Sequence, residues 1–433
     1  TLNRHQNTLT YNLIHYIKRN KISRSTIYQE KDEAYVEIDD NLIFLKDGES
    51  FIRTSEKNGF NHIYKIGMDG TSTQITTGDW DVISFKGIDA QERIYYTSVE
   101  EGAIYKSTYR IDLDGTNKTK LSNQKGENDP EFSEGMKYFV NTYTNSRTPP
   151  QITLCDQNGI IIELLEDNSE LIGILSKYNL SKKEFFKIKG ESDSLNAWMI
   201  KPPNFDPNKK YPVYYNVYCG PGSNMVEDSW GGSNAMYHQL LAQKGYIVFC
   251  VDPRGTMYRG SKFKKATYLN LGKLETEDMI ATSKELAKLK FIDKDRIGIM
   301  GWSYGGYMSS LCMTKGADYF KMGIAVAPVT NWRYYDNIYT ERFMRTPKEN
   351  KDGYDDNSPI NHVSKLKGNY LLIHGSGDDN VHVQNTMEMV SEMVKKNKQF
   401  DLFIYPNKNH GIYGGNTRLH LFNKMLNYTL ENL

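Results

Sequence analysis

The stretch Gly301-Trp302-Ser303-Tyr304-Gly305-Gly306 constrains this chain more than any other. It follows residues 296–300, a short apolar run that reads as a buried parallel strand. It leads into the small-residue run 305–311, which reads as the start of a closely packed helix. Strand, tight turn and helix place Ser303 on a nucleophile elbow, its hydroxyl at the carboxyl end of a sheet. The turn is crowded, so a Cβ at position 301 or 305 would meet neighbouring backbone. Taken alone, the motif also fits a glycine-rich turn with an incidental serine. A base and a carboxylate elsewhere must decide.

Residues 191–433 supply candidates for both. Apolar strands read at 213–218, 245–252, 296–300, 322–327, 370–375 and 401–405. Helices read around 234–242, 275–287 and 384–397, and a last helix follows residue 405. Alternating strands and amphipathic helices predict a mostly parallel sheet covered on both faces, an α/β-hydrolase domain. His374-Gly375-Ser376-Gly377-Asp378-Asp379-Asn380 follows one strand, and Pro406-Asn407-Lys408-Asn409-His410-Gly411 follows the next. The order Ser303, Asp378, His410 is the nucleophile, acid, base order of that fold. Their separations of 75 and 32 residues leave room for a strand and a helix between members. In such a set His410 takes the proton of Ser303, while Asp378 fixes its tautomer and stabilises the imidazolium. Asp379 is the competing acid, and Asp378 is preferred because it lies nearer the strand end. His374 is a rival base, but it follows the apolar strand immediately and reads as structural.

An oxyanion hole needs two donors. The backbone N–H of Tyr304, next after the nucleophile, is one. The loop Tyr218-Cys219-Gly220-Pro221-Gly222 should give the second, and Pro221 has no N–H to offer. The Tyr218 hydroxyl is the candidate, with plain packing the other reading. Further on, Trp332, Tyr335 and Tyr339 are spaced three and four apart, so they share a face if the stretch is helical. They read either as an aromatic core stripe or as the wall of a flat apolar pocket that fits a proline ring.

Residues 1–190 read as short strands, among them 35–38, 41–45, 62–66, 93–97, 109–113, 137–141 and 151–154. Turns such as Asp69-Gly70 and Asp114-Gly115 separate them. Tyr64-Lys65-Ile66-Gly67-Met68-Asp69-Gly70-Thr71 is echoed 45 residues later by Tyr109-Arg110-Ile111-Asp112-Leu113-Asp114-Gly115-Thr116. That period suits a four-stranded propeller blade, a β-sandwich with similar hairpins being the alternative. The region has room for roughly three to four blades, fewer than a usual closed propeller. A partial propeller is therefore expected, with a further segment missing. The net charge of +1 argues against a nucleic-acid partner. No run approaches the length of a membrane span. The four cysteines, Cys155, Cys219, Cys250 and Cys312, have no metal-like spacing.

These residues resemble the dipeptidyl peptidase IV branch of the prolyl oligopeptidase family of serine peptidases. The resemblance rests on the Ser303 motif with Tyr307 and on Val326-Ala327-Pro328-Val329. It also rests on Tyr335-Asp336 with Tyr339-Thr340-Glu341-Arg342, on Asp378-Asp379-Asn380-Val381-His382, on His410-Gly411 and on Asp252-Pro253-Arg254-Gly255. Thr77-Gly78-Asp79-Trp80-Asp81-Val82 matches the family's propeller. The resemblance implies a triad of Ser303, Asp378 and His410, and an oxyanion hole from Tyr218 and the Tyr304 amide. It implies a proline pocket of Tyr304, Val329, Trp332, Tyr335, Tyr339 and Val381, with Asn380 on a substrate carbonyl. It further implies release of Xaa-Pro, and less well Xaa-Ala, dipeptides through an acyl-enzyme, without metal or cofactor. A homodimer and a periplasmic or cell-surface location are implied on the same ground. One departure stands out: the family's Glu-Glu clamp for the substrate amine is not found. Glu100-Glu101 is the nearest pair, and it reads as a solvated turn. An oligopeptidase or acylaminoacyl peptidase is one alternative function, and a non-catalytic interaction module is another.

Overall fold

A computed structural model describes residues 2–5, 8–17, 21–39 and 41–433, with side chains from residue 26 onward. The chain divides into two compact units. The first comprises Thr1–Lys177, Glu227–Trp230 and Met257–Lys265. The second comprises Tyr178–Val226, Gly231–Thr256 and Ala266–Leu433.

The first unit holds three successive four-stranded antiparallel meanders, spanning 43–74, 82–120 and 127–166, and a three-stranded sheet before them. These are β-propeller blades, and the sequence echo falls on the same hairpin of the first two. In each, an aspartate one residue before the glycine accepts from the following threonine. Thr71 N–H and Oγ1 reach Asp69 Oδ1 at 2.9 and 2.7 Å, and Thr116 reaches Asp114 at the same two distances. Gly70 and Gly115 take φ of 86° and 84°, a left-handed conformation that glycine adopts without strain. Neighbouring meanders share apolar layers. Ile52 and Ile63 of the first pack with Ile94 and Tyr96 of the second, and Tyr95 of the second packs with Phe139 of the third.

Two expected strands differ. Residues 35–38 are not in a ladder. Tyr35 and Val36 are buried, so their apolar character reports packing and not pairing. The following Asp39 accepts from the Thr54 amide at 2.8 Å, a side-chain tie in place of a strand pair. The strand expected at 41–45 shrinks to Ile43–Phe44. The last strand of the third meander, Ile161–Glu166, is exposed along its whole length despite four aliphatic residues.

The second unit is built on one eight-stranded sheet. Its strand order is 183–189, 194–200, 247–252, 211–217, 292–302, 322–326, 369–375, 401–405. The first two strands join antiparallel, and the other six are parallel to one another. The central strands Tyr211–Val217 and Met322–Val326 are buried at every position, as a sheet covered on both faces requires. The long helices Gly232–Gln243, Lys273–Leu286, Tyr304–Thr314, Gln384–Lys395 and Thr417–Asn432 belong to the same unit. Open sheets of this kind present loops at the carboxyl ends of neighbouring strands. Tyr218, Ser303, the segment from Ala327, Asp378 and His410 all follow such ends.

Candidate active site

Ser303 sits between the strand Ile292–Trp302 and the helix Tyr304–Thr314, with φ 60° and ψ −119°. A non-glycine residue in that region is strained and is held there by its surroundings. Its N–H donates to the Val326 carbonyl at 2.8 Å. A Cβ on Gly301 would collide with the Gly305 carbonyl, and one on Gly305 with the Val217 carbonyl. The glycines thus let the helix start directly against two strands.

The loops that carry Asp378 and His410 meet each other. Asp378 Oδ2 lies 2.7 Å from His410 Nδ1, while Oδ1 accepts from the Asn380 and Val381 amides at 3.0 Å each. Burial opposes the Asp378 charge. Hydrogen bonds from His374 and His410 outweigh it and hold the carboxyl well below the usual range. Asp379 is exposed and takes no part in this pairing. His374 is fully buried, with Nδ1 at 2.7 Å from Thr386 Oγ1 and Nε2 at 2.8 Å from the Val381 carbonyl. Nε2 is also 3.2 Å from Asp378 Oδ2, so this ring braces Asp378. The Trp302 indole N–H donates to the His410 carbonyl at 3.0 Å, which ties the His410 loop to the residue before Ser303.

The aromatic stretch is not one helix. Trp332–Tyr334 is a single 3₁₀ turn, Tyr335 is extended, and a helix runs over Asn337–Met344, capped by Asp336 through the Tyr339 amide at 2.8 Å. The rings converge nonetheless. Trp332 lies 5.8 Å from Tyr335, 5.7 Å from Tyr339 and 5.4 Å from Tyr304. Tyr335 and Tyr339 meet edge to face at 5.4 Å. The Tyr335 hydroxyl donates to Asn380 Oδ1 at 2.7 Å. Burial, then the charge of Asp336, pushes its pKa up to about 12. Val329, Trp332 and Val381 are buried, whereas Asn380 is exposed. Tyr218 packs 6.1 Å from the Tyr304 ring, and burial raises its pKa, so its hydroxyl stays protonated and able to donate.

Sequence reasoning missed the support beneath Tyr304. Its hydroxyl donates to Glu275 Oε1 at 2.6 Å, and Glu275 Oε2 accepts from the Gly272 amide at 3.0 Å. Glu275 is fully buried, and burial raises its pKa to about 7. A glycine three residues before a glutamate is a recognisable helix-start pattern, but its link to residue 304 is not written in either segment. Among the described residues, no group of three or more His, Cys, Asp and Glu side chains is arranged to hold a metal ion. Glu100 and Glu101 lie in a turn, paired with Lys118 and Lys120.

Residues 233–433 match the prolyl oligopeptidase family, and residues 1–150 match the dipeptidyl peptidase IV (DPP IV) N-terminal region. The segment 233–433 belongs to the prolyl oligopeptidase family. The crystal structure of Porphyromonas gingivalis dipeptidyl peptidase 4 is 42% identical, with a TM-score of 0.92 over 99% of this chain and 60% of that one. The probable dipeptidyl-aminopeptidase B of Arthroderma benhamiae is 34% identical over 92% of this chain and 45% of its own length. That of Aspergillus oryzae is 35% identical over 88% and 44%. The chain thus spans about half the length of the curated relatives it matches. Both halves of the family's architecture, propeller blades and hydrolase sheet, are represented in it.

Proposed function

We propose that this chain carries the catalytic apparatus of a serine exopeptidase that releases Xaa-Pro, and less readily Xaa-Ala, dipeptides from a free N-terminus. In this reading residues 191–433 form the catalytic domain, and residues 1–190 contribute a partial propeller. One observation carries it: the Asp378–His410 pair at 2.7 Å and the strained Ser303 follow carboxyl ends of the same sheet, one strand apart, with the Trp332 aromatic cluster following the strand between them. Ser303 Oγ attacks the proline carbonyl as His410 removes its proton, the bond to the next residue's nitrogen breaks, and an Xaa-Pro acyl-enzyme forms. The Tyr304 amide and the Tyr218 hydroxyl hold the oxyanion. The proline ring lies among Tyr304, Val329, Trp332, Tyr335, Tyr339 and Val381, while Asn380 orients the preceding carbonyl. Water then releases the dipeptide, with no metal or cofactor required. A homodimer and an exported, periplasmic or cell-surface placement belong to the same reading.

The test is hydrolysis of a Gly-Pro chromogenic amide, free and N-acetylated, by the protein as its gene encodes it. Cleavage of the free amine only, abolished by Ser303→Ala, is the expected result. Equal cleavage of both would move the enzyme to the oligopeptidase or acylaminoacyl peptidase side. Turnover surviving in Ser303→Ala would remove the nucleophile assignment. An inert wild-type protein that binds Gly-Pro peptides would be an interaction module.

A further inference from the structure

The released part of the substrate has no assigned partner in the site described so far. In the proposed chemistry His410 hands its proton to the leaving amine, so the leaving segment must pass this histidine. Trp302 borders that passage, since its indole N–H holds the His410 carbonyl at 3.0 Å and its chain neighbour is Ser303. On the Trp302 ring rests a guanidinium: Arg418 Cζ lies 4.8 Å from the ring centroid.

The setting of Arg418 is unusual for a purely structural cation. It is exposed, and it makes no ion pair or hydrogen bond with its side chain among the described residues. Partial burial lowers its pKa, and no carboxylate acts to raise it again. It is the second residue of the helix Thr417–Asn432, where the backbone dipole disfavours positive charge. Lys408, two residues before His410, also makes no ion pair among the described residues. The base side of the proposed triad therefore carries two cations without a counter-charge, one of them over an aromatic ring. A guanidinium placed over the ring with no carboxylate partner has its planar fork available to a carboxylate.

We propose that Arg418 is a specificity-determining residue that pairs with a carboxylate on the leaving segment. The proposal rests on the exopeptidase reading above. It names the favoured substrates as short peptides ending in a free acid near the cut, or peptides with Asp or Glu at that place. The shared chemistry is a carboxylate within reach of Trp302.

The test compares Gly-Pro-Ala-Ala as free acid, the same peptide as its C-terminal amide, and Gly-Pro-Ala-Glu amide, with the gene-encoded protein. The wild type should show kcat/KM about tenfold higher for the free acid than for the amide. Raised ionic strength should shrink this ratio. Arg418→Gln should bring the ratio close to one, and Arg418→Lys should keep part of it. Each ratio is taken within one protein, so a general loss of activity cancels. A gain with the glutamyl amide would assign the side-chain source, and a gain with the free acid alone the C-terminal one. No gain over the plain amide with either carboxylate peptide, or a gain left unchanged in Arg418→Gln, would overturn the assignment. Cleavage of neither peptide nor a Gly-Pro anilide by the wild type would instead overturn the exopeptidase reading, and this proposal with it.

Discussion

Glu275 shows how one side chain couples the helix Lys273–Leu286 to the turn at Ser303 through Tyr304. Its two oxygens serve the Gly272 amide and the Tyr304 hydroxyl. Because burial raises its pKa from 4.5 to about 7, the folded chain holds the proton more tightly than the unfolded chain does. The stability this lends is complete below the unfolded value and is lost as pH rises towards 7. The size is ~3 kcal/mol across that window, at about 1.4 kcal/mol per tenfold change in proton affinity. Asp378 acts in the opposite sense, since its depressed pKa gives stability that is lost only in strong acid. Glu275→Gln should therefore flatten the stability profile between about pH 4.5 and 7, as read by urea midpoints. A slope as steep as the wild type's would assign it to another group. Tyr218→Phe keeps the ring and removes the proposed oxyanion donor, so kcat should fall by about 2–4 kcal/mol in barrier, with KM nearly unchanged. Wild-type turnover in that variant would leave Tyr218 a packing role. Ser303, Asp378 and His410 could be picked out from the sequence because each closes a strand with a short polar loop. Glu275 and Arg418 could not, because what marks them is the distant residue each one touches.

At the level of elements, strand periodicity was legible where strands pair and misled where they only pack. Residues 35–38 are buried without a ladder, and the aromatic stretch after residue 331 breaks at Tyr335 into a 3₁₀ turn and a helix. The spacing of Trp332, Tyr335 and Tyr339 nevertheless forecast their meeting, because the cap at Asp336 turns the new helix back towards Trp332. The strand Ile161–Glu166 teaches a second point. It pairs with Thr148–Asp156 on one side only, and Ile161, Ile162, Leu164 and Leu165 are all exposed. An exposed aliphatic edge of this kind invites pairing with another chain. The 433-residue chain should therefore self-associate at high concentration. The double variant Ile162→Lys with Leu164→Lys should reduce this in sedimentation velocity, while far-ultraviolet dichroism stays the same. Equal association in both proteins would place the contact elsewhere.

The whole molecule carries two cores of different character. One consists of stacked antiparallel meanders, and the other lies on a largely parallel sheet between helices. Chains of this size with separate cores depart from two-state unfolding. Urea titrations followed by far-ultraviolet dichroism and by the fluorescence of the Trp332 region should give non-coincident midpoints. A single shared transition would mean that the two cores melt as one. The sheet order has a further consequence in biosynthesis. The strand ends that carry Tyr218, Ser303, Asp378 and His410 are made in that order, and His410, the proposed base, follows the last strand of all. In the proposed chemistry a growing polypeptide therefore carries Ser303 long before its base is made. Until the strand Asp401–Tyr405 docks at the sheet edge, the proposed triad is incomplete.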